Sequence, residues 1–272
     1  MKHKPIRTAL IALLAAVFLC SVVMMIYRQI EYRRIIDDRD EVAQIAGLQK
    51  GGESRRPEPS QPVLPEEREE EAEPLPEEAA GLADVDLEAL RAVNEDVVGW
   101  IAIPGTDLSY PLMQGGDNHY YLSHNWKKES SIGGAVFLES TSSRDLTDFH
   151  TIVFAHRMLN DTMFGTLKYY NDADFWREHP HVYIVTDGGV YRYEIFSAQE
   201  ADVKGIVYRL NIRESGLEEE YIQYCVEGSV IETGITPSPD DRFLVLSTCT
   251  EIGYANRWVV HGRLAQVYEV QK

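Results

Sequence analysis

Residues 243–249, FLVLSTC, form an apolar stretch that is typical of a buried β-strand. Residues 257–270, RWVVHGRLAQVYEV, form a second strand-like stretch after a short connection. Two such stretches close together predict neighbouring strands that complete a sheet. Cys249 ends the first stretch where the strand gives way to a loop. A hairpin-like return would bring Arg257, at the start of the second stretch, back beside this cysteine.

Further strands precede this pair. The turn signal Asp187-Gly188-Gly189 separates two of them and predicts a hairpin. The other strand-like stretches are 98–105, 108–113, 134–138, 150–155, 181–186 and 190–198, and the helix-like stretches are 84–95, 117–124, 163–170, 172–179 and 214–227. Short strands with turn signals and a few inserted helices predict a mostly β domain over residues 84–272, built as a small barrel or sandwich.

The N-terminal part contains a candidate membrane anchor. Residues 9–26, ALIALLAAVFLCSVVMMI, are 18 residues without a charge. As a helix this stretch would span roughly 27 Å, the hydrocarbon thickness of a bilayer. A cleaved signal peptide would have a shorter apolar stretch and a small-x-small cleavage site. We therefore expect a transmembrane anchor over residues 9–27, with residues 1–8 in the cytoplasm and the folded domain outside the cell membrane.

Two segments connect the anchor with the folded domain. Residues 28–50 have a loose apolar stripe and are interpreted as a juxtamembrane helix. Residues 51–83 are rich in proline and glutamate, and 51–81 contain six of the twelve prolines of the chain and ten glutamates. Such a composition cannot bury a core, so this stretch is interpreted as an extended linker that holds the domain away from the membrane.

Composition restricts the function classes. The chain has 44 acidic and 26 basic residues and a net charge of −18, which argues against a nucleic-acid partner. Its three cysteines are Cys20, Cys225 and Cys249, and they form neither a disulfide framework nor a C-x-x-C pair. There is no cluster of metal ligands in the sequence, so we expect no metal and no required cofactor.

Cys249 is the candidate nucleophile, although a free cysteine is more often a small buried apolar residue. A nucleophilic thiol needs a base or a cation near it, and that partner can be distant in sequence. Of the eight histidines, His156 ends the apolar strand TIVFA, where a side chain can emerge at a barrel rim. Arg257 could donate to the oxyanion that develops in acyl transfer. On the residues alone, structural roles remain open for all three.

Several blocks of the sequence resemble class B sortases. They are DVVGWIAIPGTDLSYPLMQGGDNHYYLSHNW over 96–126, HTIVFAHRM over 150–158 with MFGTLKYY over 163–170, and LSTCT over 246–250 followed by Arg257. These blocks occur in the family's order and together extend from about residue 90 to residue 270. The resemblance implies an eight-stranded sortase barrel, and it implies that Cys249, His156 and Arg257 are the catalytic residues.

By the same resemblance, Cys249 attacks the carbonyl of a threonine in a C-terminal sorting signal of a secreted protein. A thioacyl-enzyme forms, and the amine of a peptidoglycan precursor resolves it. His156 would protonate the leaving amine and deprotonate the incoming one, and Arg257 would hold the oxyanion. The resemblance further implies that Asn118, Leu122, Ser247 and Thr248 contact the substrate. Arg157 and Thr250 stand where family members often carry other residues.

Three alternatives stay open at this point. A pilin-polymerising sortase would use the same chemistry with a lysine nucleophile, but such enzymes usually add a lid and a C-terminal membrane helix, and this chain ends soon after a predicted strand. A surface cysteine peptidase would only hydrolyse its substrate. A tethered binding module with an inactive site would need no nucleophile.

Overall fold

A closed barrel of eight strands forms the body of the protein in this computed structural model, which describes residues 4–48, 74–250 and 255–270. The strands are β1 (Val97–Ala102), β2 (Ser109–Met113), β3 (Val136–Leu138), β4 (His150–Phe154), β5 (His181–Thr186), β6 (Gly189–Asp202), β7 (Phe243–Cys249) and β8 (Asn256–Tyr268). Their order around the barrel is β1-β2-β3-β4-β7-β8-β6-β5, and β1 pairs with β5 to close it. The predicted mostly β barrel is thereby confirmed.

The described part of the chain also contains helices, which precede the strands or lie between them in sequence. The α-helices are α1 (Lys4–Ile45), α2 (Leu87–Val93), α3 (Ala173–Glu178) and α4 (Glu218–Glu227), and the 3-10 helices are Glu77–Asp84, Tyr120–Leu122, Gly165–Asn171 and Ile206–Tyr208. Several of them begin later than predicted, and in two cases a residue with positive φ precedes the helix. Met163 has φ +56° before the helix at 165–171, and Gly216 has φ +64° before α4. Neither backbone conformation fits a right-handed helix.

Alternating side chains of the strands build two apolar layers. In β1, Ile101 belongs to the cluster that also contains Leu112, Leu246 and Val260 of other strands. Its neighbour Trp100 belongs to a second cluster, which packs under α1, α2 and the 3-10 helix at 77–84. The period of two places successive residues on opposite faces of a strand. Both faces of β1 are therefore buried, as the apolar sequence VVGWIA indicates.

The predicted anchor and the predicted juxtamembrane helix form one continuous helix, α1. Within its Thr8–Ile45 part, this helix is long and apolar enough to cross a membrane, and none of its most apolar window is buried. Its C-terminal part packs on the barrel instead, where Ile35, Val42 and the following Ala46 are buried. Asp38 accepts a hydrogen bond from Asn125 Nδ2 at 2.8 Å. The folded body thus includes residues that lie well before position 84.

The predicted linker, 51–83, lies mostly outside the described residues. Leu48 and Leu75, on either side of residues 49–73, both pack against the cluster under the helices. The end of the predicted linker belongs to the 3-10 helix Glu77–Asp84, whose Ala79 and Leu82 are buried. The chain before and after 49–73 therefore lies on the same folded body, so this segment connects two parts of one domain.

A buried polar cluster lies beneath α4. The Nδ1 of His261 on β8 is 3.2 Å from the Tyr221 hydroxyl and 3.6 Å from the Cys225 sulfur, both on α4. Burial lowers the pKa of His261 to about 3, with repulsion from His150 as a second cause. Burial also lowers the pKa of His150 to about 4, although a hydrogen bond to the Val207 carbonyl opposes this.

These buried histidines make the fold sensitive to acid. A histidine whose pKa is lower in the folded state contributes stability fully above its unfolded pKa of ~6.5, and this stability is lost as the pH falls towards the folded pKa. We expect the free energy of unfolding, measured with urea and circular dichroism in detergent, to fall by on the order of 6 kcal/mol between pH 7 and pH 4, with about half of the loss from each histidine. His261→Gln should lower this loss, whereas His119→Asn at an exposed position should not. An unchanged pH dependence in His261→Gln would contradict the assignment.

Candidate active site

Three neighbouring strands bring the predicted catalytic residues to one end of the barrel. β4 and β7 are parallel neighbours, and Phe154 pairs with Ser247. Their C-terminal ends therefore lie at the same rim, where His156 follows β4 and Cys249 ends β7. β8 is antiparallel to β7 and begins at this rim, so that Arg257 pairs directly with Cys249. The hairpin-like return that the sequence suggested is present.

Cys249 differs from the other two cysteines in its environment. It is half-buried at the rim, whereas Cys225 is buried in α4 and Cys20 is exposed on α1. Burial raises the pKa of the Cys225 thiol far above its ordinary value, so this thiol stays protonated. A thiolate is the reactive form of cysteine. Within the folded barrel, Cys249 is therefore the thiol that combines access to solvent with a neighbouring arginine.

His156 is held by a backbone contact from a distant part of the chain. Its Nε2 lies 2.6 Å from the carbonyl oxygen of Leu122. Because a carbonyl oxygen can only accept, Nε2 must carry the proton and donate it. In the neutral ring the acceptor is then Nδ1. In this orientation of the ring, Nδ1 is the nitrogen that could take part in proton transfer.

The turn that presents the Leu122 carbonyl is fixed from both sides. The buried Tyr121 donates its hydroxyl to Asp96 Oδ2 at 2.7 Å and accepts from Asn94 Nδ2 at 2.9 Å. On the other side, Gly134 has φ +58°, and a Cβ at this position would lie 2.3 Å from the Tyr121 carbonyl oxygen. Only glycine permits both this backbone conformation and this close approach. The segment 120–134 therefore closes tightly around the turn.

Ser247 and Thr248, predicted to contact substrate, are buried and engaged within the protein. Thr248 Oγ1 donates to the Ala155 carbonyl at 2.8 Å, which ties the end of β7 to the residue before His156. Ser247 Oγ lies 2.8 Å from the Tyr208 hydroxyl. These contacts give both side chains a positioning role at the rim. A direct contact with substrate stays a prediction for each.

Leu122 ends the short 3-10 helix Tyr120–Leu122, which approaches His156, and Asn118 lies just before this helix. Asn118 Nδ2 donates to Glu139 Oε1 at 2.7 Å, and its Oδ1 accepts from the Ser140 N–H at 2.8 Å. Its amide therefore fastens this turn to the end of β3. The Leu122 side chain is exposed, and its carbonyl is the atom that contacts the histidine. Substrate contacts of these two residues also stay predictions.

The two departures from the family pattern have contacts of their own. Arg157 forms an isolated antiparallel bridge with Met163 across the loop that follows His156. Thr250 Oγ1 lies 3.4 Å from the Asn256 carbonyl, across the base of the β7–β8 connection. Both residues therefore help to close loops that flank the candidate catalytic residues. Residues 251–254 of that connection lie outside the described part.

Tyr208 is a site residue that the sequence reasoning did not single out. It ends the 3-10 helix Ile206–Tyr208, and its ring lies parallel to that of Phe154 at 6.5 Å. Burial raises its pKa to about 12, while the hydrogen bond with Ser247 and the positive charge of Arg257 oppose this. Tyr208 therefore presents a protonated hydroxyl, and this hydroxyl lies near the rim. The sequence carries no signal for it, because the contact depends on a loop 39 residues away from Ser247.

Among the described residues, no group of three or more His, Cys, Asp or Glu side chains is arranged to hold a metal ion. The chemistry that these side chains can perform is nucleophilic attack by a thiol, proton transfer by an imidazole and stabilisation of an oxyanion by a guanidinium.

The protein is thus a closed β-barrel with a candidate active site around Cys249 at one rim. Residues 101–265 match the family model described as Sortase domain, which covers more than half of the chain. Sortase B of Listeria monocytogenes is 34% identical over 181 residues, which are 66% of this chain and 74% of that protein. The chain therefore belongs to the sortase family, class B, and is a cysteine transpeptidase.

Solved structures agree with this assignment. The Staphylococcus aureus sortase B–substrate complex superposes with a TM-score of 0.63 and 28% identity, covering 66% of this chain and 85% of that one. A structure of sortase B complexed with triglycine gives a TM-score of 0.60 and 29% identity, covering 66% of this chain and 85% of that one. The eight-stranded fold is thus shared with sortase B.

Proposed function

We propose that this chain cleaves a C-terminal sorting signal after threonine and transfers the secreted protein to an amine of a peptidoglycan precursor. The observation that carries the proposal is the direct pairing of Cys249 with Arg257 at the rim where His156 leaves β4. The two similar sortase B structures are complexes with a substrate and with triglycine, which supports a peptide donor and an amine acceptor.

The proposed reaction has two acyl-transfer steps. The Cys249 thiolate attacks the threonine carbonyl, and the Arg257 guanidinium stabilises the resulting oxyanion. At the start of this step the His156 ring carries a proton on both nitrogens. The C–N bond then breaks as the ring donates its Nδ1 proton to the leaving amine and becomes neutral. In the second step the acceptor amine attacks the thioester and returns a proton to Nδ1. The C–S bond breaks and the Cys249 thiolate is restored.

We further propose that α1 anchors the enzyme in the cell membrane, with residues 1–8 inside and the barrel outside. The exposed apolar surface of the N-terminal half of α1 supports an anchor. The Lys and Arg residues on either side of the apolar stretch are nearly balanced, so the orientation rests on the rule that long domains are translocated largely regardless of charge.

The reaction can be tested with the full chain in detergent and a library of fluorescent sorting-signal peptides. Each peptide is incubated with triglycine, with diaminopimelate, with a pilin-type lysine peptide or without an added amine, and the products are identified by mass spectrometry. We expect cleavage after threonine and a product capped by triglycine or diaminopimelate. Capping by the lysine peptide alone would favour pilin polymerisation, cleavage without capping would favour a peptidase, and no cleavage would contradict the proposal.

A further inference from the structure

The loop that follows His156 has an unusual tip. Residues 157–162 turn sharply at Asp161, which has φ +63° and whose N–H donates to the Met158 carbonyl at 3.2 Å. Between these residues lies Leu159, which is 78% exposed. No other large hydrophobic side chain in the described residues has a higher exposed fraction. A leucine with most of its side chain exposed contributes little burial to the fold, and a partner outside the domain could cover it.

This tip lies beside the membrane helix. A shallow groove separates the loop from α1, and its lining residues are Ser21, Met24, Met25, Arg28, Gln29 and Tyr32 of α1 with Leu159 and Asn160 of the loop. The apolar stretch of α1 over residues 9–26 ends at Ile26, which lies between the lining residues Met25 and Arg28 along the helix. The loop tip therefore lies level with the end of the apolar stretch.

The geometry of the helix sets the depth of the tip. With a rise of ~1.5 Å per residue, Ser21 lies roughly 8 Å on the membrane side of Ile26, and Arg28 lies roughly 3 Å beyond it. This interval corresponds to the boundary between acyl chains and headgroups. The α1 side chains in the interval are themselves exposed, among them Met24 and Met25 at 62% and 72%. Leu159 thus extends an apolar surface that α1 already presents.

Charge at this level is basic, in contrast with the chain as a whole. Arg28 and Arg33 are exposed on the part of α1 that follows the apolar stretch, and the exposed Arg34 pairs with Glu31 at 2.8 Å. The net charge of the chain is −18. Arginines near a bilayer surface are attracted by anionic headgroups. An apolar tip beside basic side chains therefore fits a lipid surface better than it fits an acidic partner protein or bulk water.

We propose that the loop 157–162 inserts Leu159 into the headgroup boundary of the lipid monolayer at which α1 leaves the membrane. The inference rests on the anchoring by α1 proposed above. The barrel then has two membrane contacts, the helix and the loop tip, which together restrict the tilt of the helix and barrel relative to the bilayer. Because His156 immediately precedes the loop, the rim with Cys249 lies close to the bilayer surface. An acceptor amine that is bound to the membrane would reach the thioester from that surface.

The test places a fluorescent reporter at the tip. The full-length Leu159→Trp variant is reconstituted in vesicles of phosphatidylcholine and phosphatidylglycerol, with or without bromine on the acyl carbons nearest the headgroup. The emission of the four native tryptophans is measured on wild-type protein and subtracted from that of the variant. We expect the emission added at position 159 to be blue-shifted and quenched by roughly half in brominated vesicles. Val230→Trp is the matched control, because Val230 is 56% exposed and follows α4 on the loop next to β6.

Flotation of the same vesicles separates this inference from the proposal on which it rests. Quenching at position 159 but not at 230, in protein that floats with vesicles, supports insertion of the tip. Floating protein in which both positions are quenched equally, or neither is, overturns the inference and leaves the anchor intact. Protein that does not float overturns both. The Cys249→Ala protein should give the same quenching, since the measurement does not depend on catalysis.

Discussion

Replacing Cys249 by alanine is expected to abolish both cleavage and transfer, with a fall in kcat/KM of at least about 10⁴-fold. Alanine offers no atom that can attack the threonine carbonyl, so no thioester forms. The remaining rim, with its histidine and arginine, can only bind the peptide. The rate of cleavage of the best peptide found in the library, followed by mass spectrometry, measures this effect. Mass spectrometry of the intact wild-type protein should also detect the acylated Cys249 when no amine is present.

Cys225→Ala is the matched control for this variant. Cys225 is fully buried, and burial holds its thiol in the protonated form. We expect its kcat/KM to stay within about threefold of wild type, since the change removes one buried sulfur far from the reacting atoms. A thiol-alkylating reagent should modify Cys249 and spare Cys225. Retained activity in Cys249→Ala, or its loss in Cys225→Ala with an intact fold, would contradict the assigned nucleophile.

Replacing Arg257 by alanine is expected to lower kcat/KM by about 10²- to 10³-fold, the effect of removing one oxyanion donor. The pairing register of β7 and β8 holds Arg257 beside Cys249, at the end of the ladder where β7 ends. Arg257→Lys should restore only part of the activity, because an ammonium group keeps the charge but lacks the planar fork of donors. The loss should appear mainly in kcat, since the oxyanion exists only in the transition state and the tetrahedral intermediate.

Arg263→Ala supplies the control on the same strand. Arg263 donates to Glu194 at 2.6 Å and lies six residues beyond Arg257 along β8. Its loss should cost some stability and leave kcat within a small factor of wild type. If both arginine variants lose activity equally, the effect at 257 is structural, and the oxyanion assignment is wrong.

Much of the fold could be predicted from local patterns. The apolar stretch FLVLSTC has the same bounds as β7, and the Asp187-Gly188-Gly189 signal lies at the β5–β6 hairpin. These features depend on residues that are adjacent in sequence. The pairing of Cys249 with Arg257 could also be predicted, because the connection between their strands is short. The prediction of a closed barrel came from the resemblance to sortases. The strand pattern alone predicts a barrel and a sandwich equally.

Contacts between distant segments could not be predicted in this way. The Leu122 carbonyl contacts the His156 ring across 34 residues, and any residue type has a carbonyl. Tyr208 reaches Ser247 from a helix of three residues that has no periodicity. The docking of α1 was missed for another reason. Its apolar stripe indicates a helix, but the stripe does not reveal whether a membrane, a partner or the barrel covers it.

Because α1 is continuous from the anchor into the packed body, this one helix determines both the distance of the barrel from the membrane and the rotation of the barrel about the helix axis. One residue inserted between Ile26 and Glu31 would raise the barrel by only ~1.5 Å but would turn it by ~100° about the helix axis. The rim would then lie on a different side of the helix relative to the side chains of the anchor, even though every contact inside the barrel was unchanged. The side on which the rim lies therefore depends on the number of inserted residues, and among insertions of up to eleven residues those of seven or eleven come closest to whole turns.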